Sequence, residues 1–357
     1  MPQNTPPADT EHSPASEQGG SSTSRLTRIR DFVTGRWFIK TAFLLFFVYA
    51  CIQLFRFAAW ARGEGPYVAR PEAPAGLLPV GHFMSFFAWI RGGGWDMLLP
   101  AGLVIIIAAV SITLLFRRGF CGWICPVGTV WEAFAALGRK LLGGRNIRVP
   151  KWLDIAGRVV RFILAAAVVA ILVAVPLAEA VGFRSIPYMM IADLKTIGLM
   201  LTPMYLLVIL LAGVVSILFG PVWCRYLCPV GGMYAAVALA SPCSVHRDEQ
   251  TCIQCSRCTA SCHAYCEPEK VVTVRDTECD GCMECVKVCP VDDCLTARAF
   301  SRVRISPWVW PALVVGLWLA LYGSAVLTGN WNSPVTPDEF KAIINSGLLE
   351  QSSMPQQ

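Results

Sequence analysis

The stretch Phe120–Phe134, "FCGWICPVGTVWEAF", places two cysteines and a proline directly after a long apolar run that closes on Arg117 and Arg118. A second copy, "WCRYLCPVGGMYAA" at Trp223–Ala236, aligns with it without gaps and repeats C-x3-C-P-V-G 103 residues further on, at Cys224 and Cys228 in place of Cys121 and Cys125. Each copy follows an apolar segment, so the chain looks like a duplication in which each half is an outward and an inward helix. Cysteines at i and i+4 share one helical face, and proline in the next position suits a junction where one helix stops and another begins. Three readings stand for the four thiols: ligands of a further metal or iron-sulfur centre (zinc included), redox-active dithiols, or packing at a helix junction.

Working outward, the 357 residues are 55% hydrophobic and only 15% charged, too apolar for an ordinary soluble protein. A helix needs about 20 apolar residues to cross a bilayer core. Five segments qualify: Trp37–Trp60, Trp95–Phe116, Val160–Val181, Met200–Gly220 and Pro307–Thr328. Ala73–Ile90 is also uncharged, but Pro74, Gly76, Pro79 and Gly81 favour an interfacial or re-entrant loop. The first apolar segment, despite the small-residue "AAWA", is longer than a signal-peptide core and is expected to stay as a span. Of the 30 basic residues, five precede or open span one, and nine each lie between spans two and three (Arg161 at the edge included) and spans four and five. That bias predicts a cytoplasmic N-terminus, cytoplasmic cysteine-rich segments and a periplasmic C-terminus. The net charge of +6 sits beside spans and calls for anionic lipid rather than nucleic acid.

Sixteen cysteines in a chain so oriented point to metal rather than disulfides, since fifteen fall on the reducing side. "CIQCSRCTASC" at Cys252–Cys262 and "CDGCMECVKVCP" at Cys279–Pro290 both carry C-x2-C-x2-C-x3-C, the spacing of bacterial two-cluster ferredoxins, where the fourth cysteine of each run crosses to the other cube. This assigns Cys252, Cys255, Cys258 and Cys289 to one 4Fe-4S cluster, and Cys279, Cys282, Cys285 and Cys262 to the second. A zinc ribbon is the plainer alternative, but it does not call for two interleaved runs of four. The first run ends in Cys262-His263 rather than Cys-Pro, which leaves Cys266 as a rival fourth ligand; Cys51, Cys243 and Cys294 stay unassigned.

The predicted architecture is therefore an α-helical integral membrane protein of about five spans with a duplicated helix pair, carrying a small α+β ferredoxin-like domain between spans four and five. Its expected parts are a disordered segment 1–36, a membrane domain 37–240, a two-cluster domain 241–300, a fifth span 301–328 and a tail 329–357. In the tail, "TPDEFKAIINSG" predicts a short helix with Thr336 as N-cap, Pro337 at N1, Glu339 at N3 and Gly347 as its stop.

Paired C-x3-C-P motifs at the ends of two spans, followed by "CIQCSRCTASC" and "CDGCMECVKVCP", resemble the NapH and NosR type of membrane-bound polyferredoxin, over roughly Trp37 to Thr328. The resemblance implies an electron-transfer subunit of the bacterial cytoplasmic membrane, a quinol dehydrogenase component feeding periplasmic reductases or cytochromes. The wider group includes regulatory or maturation proteins of the RdxA and CcoG type, so a redox-sensing or metalloenzyme-maturation role is the alternative. NosR-type proteins also carry a large flavin-bearing periplasmic domain, which this sequence lacks. No nucleotide-binding glycine pattern is present, and none of the four histidines lies in an expected span, which disfavours bis-histidine haem. A quinone is the expected membrane partner, and His82, Asp96, Glu179 and Asp193 are the candidate proton acceptors at its site.

Overall fold

The computed structural model describes residues 35–77, 79–143, 146–184 and 187–346. Nearly all of the expected segment 1–36 and the expected stop at Gly347 lie outside them. In chain order the helices are α1 (Arg36–Ala61), α2 (Pro79–Ile90), α3 (Pro100–Phe116), α4 (Gly119–Trp123), α5 (Pro126–Leu141), α6 (Lys151–Ala174), α7 (Leu177–Arg184), α8 (Pro187–Met200), α9 (Pro203–Phe219) and α10 (Pro229–Val237). The ferredoxin-like module follows with β1 (Cys243–Arg247), α11 (Arg257–Ser261), β2 (Thr273–Val274), α12 (Glu284–Lys287), β3 (Leu295–Ala299) and β4 (Val303–Ile305). Helices α13 (Val309–Leu327) and α14 (Pro337–Asn345) are the last elements among the described residues.

Among the described residues three helices, α1, α6 and α13, are long and apolar enough to cross a bilayer, and residues Met189–Met200 with α9 pass together as a pair bent by 67°. Helix α3, apolar but 17 residues long, lies inside the bundle with Ala101, Leu103 and Ile112 fully buried. By contrast α9 leaves Leu207, Leu210 and Leu211 more than half exposed, as a lipid-facing helix does. The observed ends differ from the expected ones where charge or proline decides. The third span begins at Lys151 instead of Val160, because Asp154 and Arg161 find protein partners (Arg225 and Glu278), and it ends at Ala174, before Pro176. The second starts at Pro100 instead of Trp95, since the Asp96 carboxylate accepts from the amides of Leu98 and Leu99 just ahead of the helix. Ala73–Ile90 is corrected from loop to a 3-10 turn followed by α2; Pro79 stands at the first position of that helix, where no amide is needed.

In the module, the antiparallel sheet has the order β2-β1-β3-β4, with Val245 opposite both Val274 and Ala297, so alternate residues of β1 face one core. Its fourth strand pairs Ala297 with Ile305, carrying the module past residue 300. The core is continuous with the helices below: Val245, Val274, Met283 and Leu295 pack in one cluster with Trp123, Ile112, Trp310 and Val314. On the opposite face, α14 forms with the expected Thr336–Glu339 capping box and buries Phe340 and Ile344 against α1 and α8.

Candidate iron-sulfur sites

The repeat builds the same local structure twice. Cys125 and Cys228 are the N-caps of α5 and α10, proline occupies the first turn, and each sulfur accepts from the glycine amide three residues on, Gly128 at 3.4 Å and Gly231 at 3.3 Å. A Cβ on Gly128 would stand 3.1 Å from the Cys121 carbonyl, and one on Gly231 3.3 Å from that of Cys224, which explains the glycine of C-P-V-G. Cys121 sits on α4 and Cys224 in a single π turn, Trp223–Leu227, so both first cysteines are carried by a tight turn at the end of an apolar helix. Trp131 and Trp223 stack across the pseudo-dyad at 5.9 Å and 14°.

The four thiols converge. Cys121, Cys125 and Cys224 each lie within electrostatic range of Cys228, and Cys224 of both Cys121 and Cys125. Burial pushes the Cys125 thiol up to about 12, so loss of its proton requires a metal or a nearby cation. Arg118 supplies such a cation beside Cys121, and Lys40 approaches Cys125. Four soft donors with buried positive charge beside them fit a tetrathiolate centre, whose iron-sulfur form carries net negative charge.

The ferredoxin-like module brings its predicted ligands into two cavities. Cys252, Cys255, Cys258 and Cys289 line the first, and Cys262, Cys279, Cys282 and Cys285 line the second. Each run turns through left-handed residues at matching places, Gln254 and Ser256 in one and Gly281 and Met283 in the other. Alternating handedness of this kind aims successive amides into a concavity and favours an anionic group there. Cys266 lines the second cavity beside Cys262, and Cys294, left unassigned by its sequence context, lines the first. The two runs, set one above the other, place Cys266 and Cys294 at nearly equivalent positions, the signal that would have found Cys294.

The second cavity rests on the repeat site. Arg36 binds the Gly122 carbonyl at 3.0 Å, Asp280 at 3.1 Å and both oxygens of Glu132, which also holds Lys40; His263 binds Asp280 at 2.8 Å. Glu278 pairs with Arg118 at 3.2 Å and with Arg161, while Trp123 donates to the Gly281 carbonyl at 3.0 Å. Burial alone would raise Glu132, but His263, Arg36 and Lys40 hold it well below the usual carboxylate range. Cys285 is also within electrostatic range of Cys258, so the three thiol sets follow one another: repeat site, second cavity, first cavity. The first cavity is the outermost, with Cys255 exposed and Ile253 64% exposed.

The four proton-acceptor candidates separate. His82 is 2% exposed, its ring lies so close to Gly102 that a Cβ there would stand 2.0 Å away, and neither ring nitrogen makes a well-formed hydrogen bond, with the Ala75 backbone alongside. Asp96 and Asp193 are near it but engaged, Asp96 by the Ser85 hydroxyl at 2.6 Å and Asp193 by Arg70 at 2.7 Å. Glu179 is exposed on α7. From the next residue, Phe83 reaches Tyr234 at 6.0 Å between ring centres, and Tyr234 is in electrostatic range of Cys121, Cys125 and Cys228.

A family profile described as "4Fe-4S binding domain" matches residues 98–145 and 201–242, one match on each C-x3-C-P repeat. The chain is 34% identical over 289 residues to the putative electron transport protein YccM of Escherichia coli K12, covering 78% of this chain and 80% of that protein. It is 28% identical over 207 residues to the ferredoxin-type protein NapH of the same organism, and 29% over 234 residues to the protein NirI of Paracoccus denitrificans, of whose length it spans 33%. No solved structure gives a significant match. A domain of this kind matched on both repeats, and shared sequence along four-fifths of YccM, place the chain in the family of membrane-associated ferredoxin-type electron-transport proteins.

Proposed function

We propose that the chain relays electrons between the quinol pool and a redox partner through three 4Fe-4S sites: Cys121, Cys125, Cys224 and Cys228 at the membrane edge, then Cys279, Cys282, Cys285 and Cys262, then Cys252, Cys255, Cys258 and Cys289. The convergence of the two repeated thiol pairs beside the second cavity carries this reading. Bound at these places, the clusters supply one-electron transfer. The residues hold them and balance charge, Arg118 and Lys40 at the first site, while buried Trp123 and Met283 exclude water from the junction. The module faces the cytoplasm of a bacterial inner membrane, and α14 the periplasm, as the basic residues favour. A soluble partner docks at the exposed end, near Cys255 and Ile253.

Iron counting on anaerobically purified protein tests the assignment. Wild type is expected to hold about twelve irons per chain in three cubes, and Cys121→Ser to lose about four of them with one paramagnetic signal. About eight irons, unchanged by the substitution, excludes a cube at the repeat. Addition of quinol should reduce the clusters; spectra indifferent to quinol remove the quinol relay and leave the maturation or regulatory role, which the relative named regulatory protein NosR keeps in view.

At the quinol site His82 takes the proton, because neither ring nitrogen is held by a side chain while Asp96 and Asp193 are committed. His82→Phe is expected to lower quinol-driven cluster reduction at least about 100-fold, the scale of a lost general base, while reduction by dithionite stays at the wild-type level. An unchanged quinol rate in that variant assigns the proton to another group.

A further inference from the structure

Each cavity of the module is lined by five thiols, one more than a cube uses. The two extra thiols, Cys266 and Cys294, hold closely corresponding positions. Cys266 comes four residues after Cys262, and Cys294 five after Cys289. Each directly follows a left-handed residue, Tyr265 at φ 56° and Asp293 at φ 60°, which turns the chain back towards the cavity. Both are 3% exposed. Cys266 lines the second cavity and interacts there with Cys262 and Cys279, and Cys294 lines the first and interacts with Cys289 and Cys252. In both cavities the extra thiol therefore flanks the first cysteine of one run and the crossing cysteine of the other.

The C-x2-C-x2-C-x3-C spacing completes four sulfurs in each cavity without the extra thiol, with Cys262 as the crossing cysteine of the second cavity and Cys289 of the first. A ligand sulfur gives up its proton to iron, and the fifth sulfur keeps its own. We propose that Cys266 and Cys294 are not ligands but S–H donors to the flanking ligand sulfurs, each raising the reduction potential of its own cluster. The donated hydrogen bond is worth more to the reduced cluster, which holds one more negative charge, so the potential rises. Cys294 also has the Asp248 carbonyl as an acceptor at 3.8 Å, so its effect is the smaller of the two.

The inference rests on the proposed clusters in these cavities, and wild-type iron content with its paramagnetic signals checks that first: a protein without them overturns both readings. With the clusters present, redox titration of the anaerobic full-length chain separates the possibilities. Cys266→Ala is expected to keep the wild-type iron content and to shift one cluster to lower potential, the other staying in place. Cys266→Ser, whose hydroxyl also donates, should recover most of that shift. Cys294→Ala should move the other cluster, by less, and carries the comparison by itself if Cys266→Ala does not fold. Loss of a cube's iron on removing either thiol makes it a ligand and overturns the proposal, as does full iron with an unmoved potential.

Discussion

Glu132→Ala is expected to destabilise the junction between module and membrane domain by about 3–5 kcal/mol, the cost of leaving buried cations without their partner. Arg36 and Lys40 are 3% and 0% exposed, and Glu132 is the carboxylate they share. Its removal leaves Arg36 with Asp280 and the Gly122 carbonyl, and breaks the Lys40 ion pair. The exposed pair Lys270–Glu267, with side chains 60% and 42% exposed, provides the control: Lys270→Ala should change stability by less than about 1 kcal/mol. Protease protection of the module and the thermal midpoint in detergent both report the difference, and equal effects of the two substitutions refute the role given to Glu132. The same carboxylate gives the pH dependence its sign. Because its folded value is depressed, its stabilisation is fully present above the ordinary glutamate range and is lost as pH falls towards the folded value. The part of docking carried by Glu132 is thus lost only in acid, and Glu132→Gln should remove that acid-linked part of the loss.

The grouping of the module cysteines was more legible in the sequence than the helices around them. Spacing alone grouped the eight module cysteines as the two cavities do, because C-x2-C-x2-C-x3-C dictates tight turns whatever surrounds them. Span ends were less legible, since a search for uncharged gaps treats every charge as solvated. Lys40 and Arg161 are fully buried inside long helices and paired with Glu132 and Glu278, which sequence distance concealed. Ala73–Ile90 misled for a related reason: proline suggests a break, yet Pro79 begins a helix that carries His82 against Gly102. The docking network joins residues up to 244 positions apart, as in Arg36 with Asp280, and no local pattern announces such pairs.

Gly122→Ala is expected to part the repeat site from the second cavity while leaving the thiols in place. The Cβ it adds would stand 2.5 Å from the Asp280 carbonyl, a backbone atom that cannot swing aside, and 3.3 Å from the Asp280 side chain. Gly122 lies between Cys121 and Trp123, and the facing residue Asp280 lies between Cys279 and Gly281, so the contact joins one thiol set to the next. Relief requires the module to lift, which strains the Trp123 bond to the Gly281 carbonyl and the Arg36 bonds to Gly122 and Asp280. Overpacking of this kind costs about 1–3 kcal/mol, less than loss of Glu132, but it falls on the path between the proposed clusters rather than on a flanking ion pair. On the proposed relay, iron content should therefore stay at the wild-type level while the rate at which quinol reduces the two proposed module clusters falls, and the signal of the proposed repeat-site cluster still responds. Gly128→Ala distinguishes a path effect from simple crowding, because its new Cβ would meet the Cys121 carbonyl at 3.1 Å, within the repeat and away from Asp280. That variant should disturb the repeat-site cluster itself. Unaltered electron transfer to the module in Gly122→Ala, with iron complete, places the route elsewhere than the Gly122–Asp280 contact.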